Sequence, residues 1–257
     1  KQFSRKQGLS GDTIHALMED TTGRLWIGTD TGLNAVINGQ LYKAPDTMLE
    51  LGAVTISSIV EDRSGKLWVA TDIRGLFVLD GGHMRRFGMD GGLRVTSMHE
   101  DDNGSLWLGT TSGLHRVRNE QFQSLKAGTG PINEVILQIF EDKQGLMWLT
   151  TNKGLFSIPR TQLDRYLDAG PDAERNGVEP PVFRAFGLSD GLRTIEFNGG
   201  NSTAGTLTAD GRLWLPTTRG LVHLDPANLH TNTLPPPVVV EGVYVDNKLA
   251  GAEPPKP

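Results

Sequence analysis

Five copies of one short pattern run along the chain, each centred on a tryptophan: Trp26, Trp68, Trp107, Trp148 and Trp214. The intervals between them are 42, 39, 41 and 66 residues. A period near 40 confines a chain to repeat architectures, in which each unit buries its apolar face against the next. Aligned on Trp, every copy has Gly three residues earlier (Gly23, Gly65, Gly104, Gly145, Gly211) and Thr three residues later (Thr29, Thr71, Thr110, Thr151, Thr217). Four copies carry an acidic pair ending six residues before Trp: Glu19 and Asp20, Glu61 and Asp62, Glu100 and Asp101, Glu141 and Asp142. The fifth has Leu207 and Thr208 in those slots, with Asp210 beside Gly211.

Each copy reads as alternating strands and turns. In the first, residues 14–19 are a short apolar run, 20–23 a turn signal, and 25–29 strand-like around the aromatic ring. Asp suits the turn because its carboxylate accepts from nearby N–H groups, and Gly because it takes positive φ without steric cost. A second turn ends at Gly32, residues 33–37 make a third strand, Asn38-Gly39 is a hairpin signal, and 40–43 supply a fourth strand. Aromatic-bearing segments around Phe87, Phe122 and Phe186 recur as that fourth strand. Four short antiparallel strands per repeat make a propeller blade. The expected fold is therefore all-β, a β-propeller of four-stranded antiparallel blades over residues 1–233. Residues 2–5 look like a fourth strand without its blade. They either complete the fifth blade and close a five-bladed ring or belong to a larger propeller.

Two stretches break the pattern. An insertion at 159–180 accounts for most of the long fourth interval, and its polar, Gly-bearing centre, 168–177, reads as a mobile surface loop. Residues 234–257 open with three prolines, an extended connector, and 238–245 then read as the first strand of a truncated module. The chain has no cysteine, which excludes disulfides, thiolate metal sites and a Cys nucleophile. A net charge of −5 without a basic run argues against nucleic acid or an anionic membrane as partner. No apolar stretch approaches 20 residues and Lys1 begins no signal-peptide pattern, so the segment is expected to make no membrane contact and to carry no export signal of its own.

The pattern Glu-Asp-x-x-Gly-x-Leu-Trp, continued by a conserved-in-repeat Thr and Gly-Leu, resembles the two-component regulator propeller repeat. Residues 7–10 and 190–192 are similar to that family's segments between blades, 196–200 and 210–226 to its closing blade, and 236–241 to the first strand of the triple-tyrosine (Y_Y_Y) domain, an immunoglobulin-like module. The long insertion and the weakened acidic turn of the last copy depart from it. The resemblance implies a periplasmic sensor region of a bacterial signalling receptor, whose transmembrane helix and output, a histidine kinase or diguanylate cyclase, lie outside this chain. It also implies a homodimer formed through the receptor.

Residues that recur in every blade are expected to build the scaffold, with Trp in the second strand packed between blades. Function is expected where the copies differ. The turn between second and third strands and the segment entering the first strand share one face of a blade, and there the sequence places Asp12, Asp30, Asp72, Arg74, Thr111, Asn152, Lys153, Asn198, Asn201 and Arg219. Carboxylates, amides, hydroxyls and cations around an axis suit a small polar ligand, with a glycan as the guess. Catalysis has weak candidates: the six His show no shared spacing, and Glu19, Glu61, Glu100 and Glu141 occupy equivalent positions of different blades. No cofactor is expected. Propeller lyases keep an enzyme open as an alternative, as does a protein-interaction scaffold.

Overall fold

The repeat folds into strands where the pattern places them. The computed structural model of the protein describes residues 2–43, 53–88, 93–125, 134–200, 204–229, 244–245 and 248–249. Blade one comprises β1 (Ile14–Glu19), β2 (Leu25–Thr29), β3 (Gly32–Ile37) and β4 (Gln40–Lys43). Blade two has β5 (Ile56–Glu61), β6 (Leu67–Thr71), β7 (Leu76–Asp80) and β8 (His83–Phe87). Blade three has β9 (Val95–Glu100), β10 (Leu106–Thr110), β11 (Gly113–Arg118) and β12 (Gln121–Ser124). Blade four has β13 (Gln138–Glu141), β14 (Leu146–Thr151), β15 (Gly154–Pro159) and, after helix α1 (Arg160–Asp168), β16 (Arg184–Phe186). Blade five has β17 (Thr206–Leu207), β18 (Leu213–Thr217) and β19 (Gly220–Leu224), three strands among the described residues.

Within each blade every strand pairs antiparallel with its neighbour in chain order. The blades are arranged in a ring, so the protein is a five-bladed β-propeller and nearly all β. First strands β1, β5, β9 and β13 touch one another in turn.

One carboxylate organises each of the first four blades. Asp20 Oδ1 accepts from the backbone N–H groups of Thr22 at 3.0 Å and Arg24 at 2.9 Å, while Oδ2 accepts from the Trp26 indole N–H at 2.9 Å. The indole bond recurs from Trp68 to Asp62 at 2.7 Å, from Trp107 to Asp101 at 2.8 Å and from Trp148 to Asp142 at 2.7 Å. Gly closes the turn in the left-handed region, with φ 79° at Gly23 and 75° at Gly104, where a side chain would be strained. In blade five the Thr208 hydroxyl stands in for the carboxylate and accepts from Arg212 N–H at 3.2 Å. Burial works to raise the Asp20 and Asp62 pKa values. The bonds from Thr22, Arg24 and Trp26, and from Ser64, Trp68 and Lys66, outweigh it and hold both carboxyls below the ordinary carboxylate range.

Held at their N–H groups, the indoles of the first three blades lie on the next blade. Trp26 packs with Ile56, Val69 and Phe77, Trp68 with Val95, Leu106 and Leu108, and Trp107 with Ile136, Ile139 and Met147. The Glu residues tie the same junctions: Glu61 accepts from Thr21 N–H at 2.7 Å and Glu100 from Arg63 N–H at 3.0 Å.

The structure differs from the sequence reading at two places. The insertion is not a loose loop: α1 buries Leu163, Tyr166 and Leu167, Ala173 joins the same core, and the Tyr166 hydroxyl donates to Glu174 at 2.8 Å. Residues 2–5 do not complete blade five. They lead into a 3-10 turn, Arg5–Gln7, closed by Gly8 at φ 103°, and β19 has β18 as its one neighbour among the described residues. At the other end, compact packing divides the chain at Pro226, into Lys1–Pro226 and Ala227–Pro257, whereas a boundary at 233 falls outside the described residues. In the second unit Tyr244–Val245 (β20) pairs with Lys248–Leu249 (β21), and residues 238–243, expected as a strand, lie outside the described residues.

Replacing Trp107, which is fully buried, with Ala should destabilise the protein by roughly 3–5 kcal/mol in denaturant melts; near-wild-type stability would place the ring outside the core. Acid should also destabilise the protein. Carboxylates whose folded pKa is depressed contribute stability that is complete above about pH 4 and lost as pH falls through the folded value. Asp62→Asn should flatten the fall in stability below pH 4, and an unchanged acid slope would remove Asp62 from the account.

Candidate functional site

The turn between second and third strands is pinned by the same pair of bonds in all five blades, with one extra residue in the turn of blade two. The Thr29 hydroxyl donates to Gly32 O at 2.9 Å and accepts from Thr31 N–H at 3.2 Å. Thr71, Thr110, Thr151 and Thr217 do the same with Gly75 and Arg74, Gly113 and Ser112, Gly154 and Lys153, and Gly220 and Arg219. One pinning device therefore presents different side chains from blade to blade. Each turn rests on the segment entering a first strand: Asp30 N–H donates to Thr13 O at 3.0 Å, Asp72 to Thr55 O, Thr111 to Arg94 O, and Thr218 to Glu196 O, the last three at 3.1 Å. The two segments share a face, as the strand count required.

On that face Asp30 and Asp72 are half-buried, and one carboxylate oxygen of each, Oδ1, is itself buried and has no hydrogen-bond partner among the described residues. The Thr55 hydroxyl links the two blades by donating to Asp30 O at 3.2 Å. A Cβ at Gly11 would stand 1.7 Å from Asp30 Oδ1, so this approach needs glycine. Asp12 is exposed and accepts from Arg5 N–H at 3.3 Å. Thr111, Asn152 and Asn198 are exposed, and Lys153 Nζ pairs with Glu134 at 2.6 Å. Asn201 lies outside the described residues.

The two expected arginines occupy separate hollows. Arg74 lines a cavity of about 390 Å³ on blade two with Ile73, Phe77 and Arg86. Arg219 lines one of about 270 Å³ on blade five with Asp190, Arg193, Thr217 and His223. Arg86, Arg193 and His223 escaped the sequence reading because none sits in the turn slots. The shared turn shape of residues 187–191 and 4–8, each closed by Gly with positive φ, is the signal that could have found Arg193.

His115 is no exposed base. It is buried, bonded to Ser124 Oγ at 2.9 Å and Thr110 Oγ1 at 3.1 Å, and burial pushes its pKa down to about 4. The most heavily charged cluster was also missed. The guanidinium of Arg116, wholly buried, donates to Gln123 Oε1 at 2.9 Å, to Asp164 at 2.7 Å and to Asp168. Arg160 bonds Glu141 and Asp164, each at 2.7 Å. These ion pairs fasten α1 to blades three and four, a structural use of charge. The spacing of Leu163, Tyr166 and Leu167 on one helical face was the available signal.

Residues 8–31, 50–72, 89–112 and 130–153 match the model of the two component regulator propeller, so the chain carries four repeats of that family. Among curated proteins none matches the chain. Its fold is similar to the extracellular domain of the putative hybrid two component system BT3049 from B. thetaiotaomicron, at 22% identity and TM-score 0.66, over 87% of this chain and 28% of that one. It is also similar to virginiamycin B lyase from Staphylococcus aureus, at 12% identity and TM-score 0.55, over 83% of this chain and 70% of that one. At such identities the likeness establishes the propeller fold, and the chain spans less than a third of the receptor domain's length.

Arg219→Ala and Lys153→Ala should weaken binding of an anionic or polar ligand while leaving the melting temperature nearly unmoved, since exposed turn substitutions cost within about 0.5 kcal/mol. Arg212→Ala, at the opposite end of blade five, is the matched control and should bind as wild type. Equal loss in all three, read by calorimetric titration, would point to long-range charge rather than a site.

Proposed function

We propose that this propeller is the extracytoplasmic, periplasmic sensing part of a bacterial signal-transduction receptor, and that it binds a small polar ligand, a glycan being the favoured class, without catalysis. The observation that carries the reading is the division of labour within the repeat. The residues that recur, Asp, Trp and Thr, are used up by the turn, the blade junction and the second turn. Chemical variety is left to one face, where the turns differ from blade to blade at Asp30, Asp72, Thr111, Asn152 and Arg219. The four two component regulator propeller repeats support a signalling role, with a histidine kinase or diguanylate cyclase as the output. No helix of the described residues is long and apolar enough to cross a membrane.

A second reading, a propeller lyase, draws on the shared fold with virginiamycin B lyase. The two separate by experiment. A thermal-shift screen against glycans, amino acids and small acids should find a stabilising compound that is recovered unaltered; at one hundred times its Kd it adds about 2.7 kcal/mol. Turnover of a streptogramin or polysaccharide, abolished by replacement of His223, would overturn the non-catalytic reading.

A further inference from the structure

Blade two departs from its neighbours on the variable face by a single residue. In four blades the closing Gly is the third residue after the pinning Thr, as in Thr29 to Gly32 and Thr110 to Gly113; in blade two it is the fourth, Thr71 to Gly75. The bonds register the extra length. Thr71 Oγ1 accepts from Arg74 N–H at 3.0 Å, three residues on, where the other turns use the residue two on. The longer turn leaves Ile73 72% exposed and sets Arg74 beside it, fixed at its own backbone N–H.

Strands β7 and β8 supply the other wall of the hollow of about 390 Å³ that Arg74 lines. Phe77 stands opposite Arg86 in the register, so the two side chains share one face of the blade, the face on which Phe77 packs with Trp26 of blade one. The same rung holds Asn34 and Lys43 in blade one, His115 and Ser124 in blade three, and Phe156 and Ala185 in blade four. Blade two alone of these four sets a cation opposite an aromatic side chain. Arg85, on the opposite face, pairs with Glu120 at 2.7 Å, whereas the exposed side chain of Arg86 has no ion pair or hydrogen bond among the described residues.

We propose that this hollow binds a small organic carboxylate with an apolar body, the carboxylate held between Arg74 and Arg86 and the body lying against Ile73 with Phe77 behind it. Its volume falls within the roughly 300–1,000 Å³ of small-molecule sites. Two like charges around one hollow repel, and an anion between them converts that repulsion into attraction. Guanidinium groups suit the task because their planar forks match a carboxylate's two oxygens. The inference rests on the sensor reading only in using the variable face, and it adds a ligand class to it: a neutral glycan calls for neither two cations nor an exposed isoleucine.

Phenylacetate is the probe, titrated calorimetrically into the full chain, with acetate for the charge alone, benzyl alcohol for the body alone and inorganic phosphate for an anion without a body. Phenylacetate should bind about tenfold more tightly than any of the three, the worth of one further charge-assisted hydrogen bond or apolar contact. Arg86→Gln should weaken phenylacetate about tenfold, and Ile73→Ser should weaken it about threefold while leaving acetate unchanged. Both side chains are exposed, so both variants should melt as wild type. Arg85→Gln, the neighbouring cation on the other face, is the control and should bind as wild type. The proposal is overturned if phenylacetate binds no more tightly than acetate, benzyl alcohol or phosphate, if Arg86→Gln binds as wild type, or if Arg85→Gln loses as much as Arg86→Gln. Those results would leave the sensor reading standing, and turnover of a substrate would overturn that reading while leaving this site.

Discussion

A single carboxylate in each of the first four blades, bonded on one side to the turn and on the other to an indole, is the interaction on which the rest depends. Without it the turn's N–H groups and the Trp N–H would both be buried without acceptors, at a cost of about 1–3 kcal/mol for each group left unsatisfied. With it, the ring is fixed in the orientation that covers the next blade. Sequence, turn geometry and inter-blade packing thus converge on one side chain. Blade five shows the counter-case: Thr208 replaces the acid, and Trp214 is the least buried of the five indoles.

A second device breaks the symmetry of the ring. Arg116 sits wholly buried under α1, over the Trp107 ring at 5.7 Å and against Asp164 and Asp168. A buried ion pair adds little net stability, but removing one partner leaves an uncompensated charge and is costly. The insertion is therefore held in one place, between blades three and four, by electrostatics that penalise any other arrangement.

Much of the fold was legible because the repeat encodes it twice, in period and in turn chemistry. The first-blade strands fall where residues 14–19, 25–29, 33–37 and 40–43 suggested, with Gly32 added to the third. The insertion was misread because polar composition at 168–177 masks the apolar stripe of Leu163, Tyr166 and Leu167, and because a buried Arg in β11 has no signature of its own. Residues 2–5 were misread because Gln2-Phe3 imitates Gln121-Phe122, while the structure is set by the following turn at Gly8. The placement of the variable face was recoverable by counting turns from each Trp. Its hollows were not, since Arg193 and Arg86 reach Arg219 and Arg74 only through the three-dimensional arrangement.

The scaffold account reserves recognition for side chains that the repeat does not consume, and it stands or falls on whether the repeated acid and indole act as one unit. A double-mutant cycle on Asp101→Asn and Trp107→Phe, read by equilibrium denaturation, measures that directly. The account predicts a coupling of about 1.5–3 kcal/mol, the range of a hydrogen bond to a charged group. Additive effects, with no coupling between the two substitutions, would contradict it.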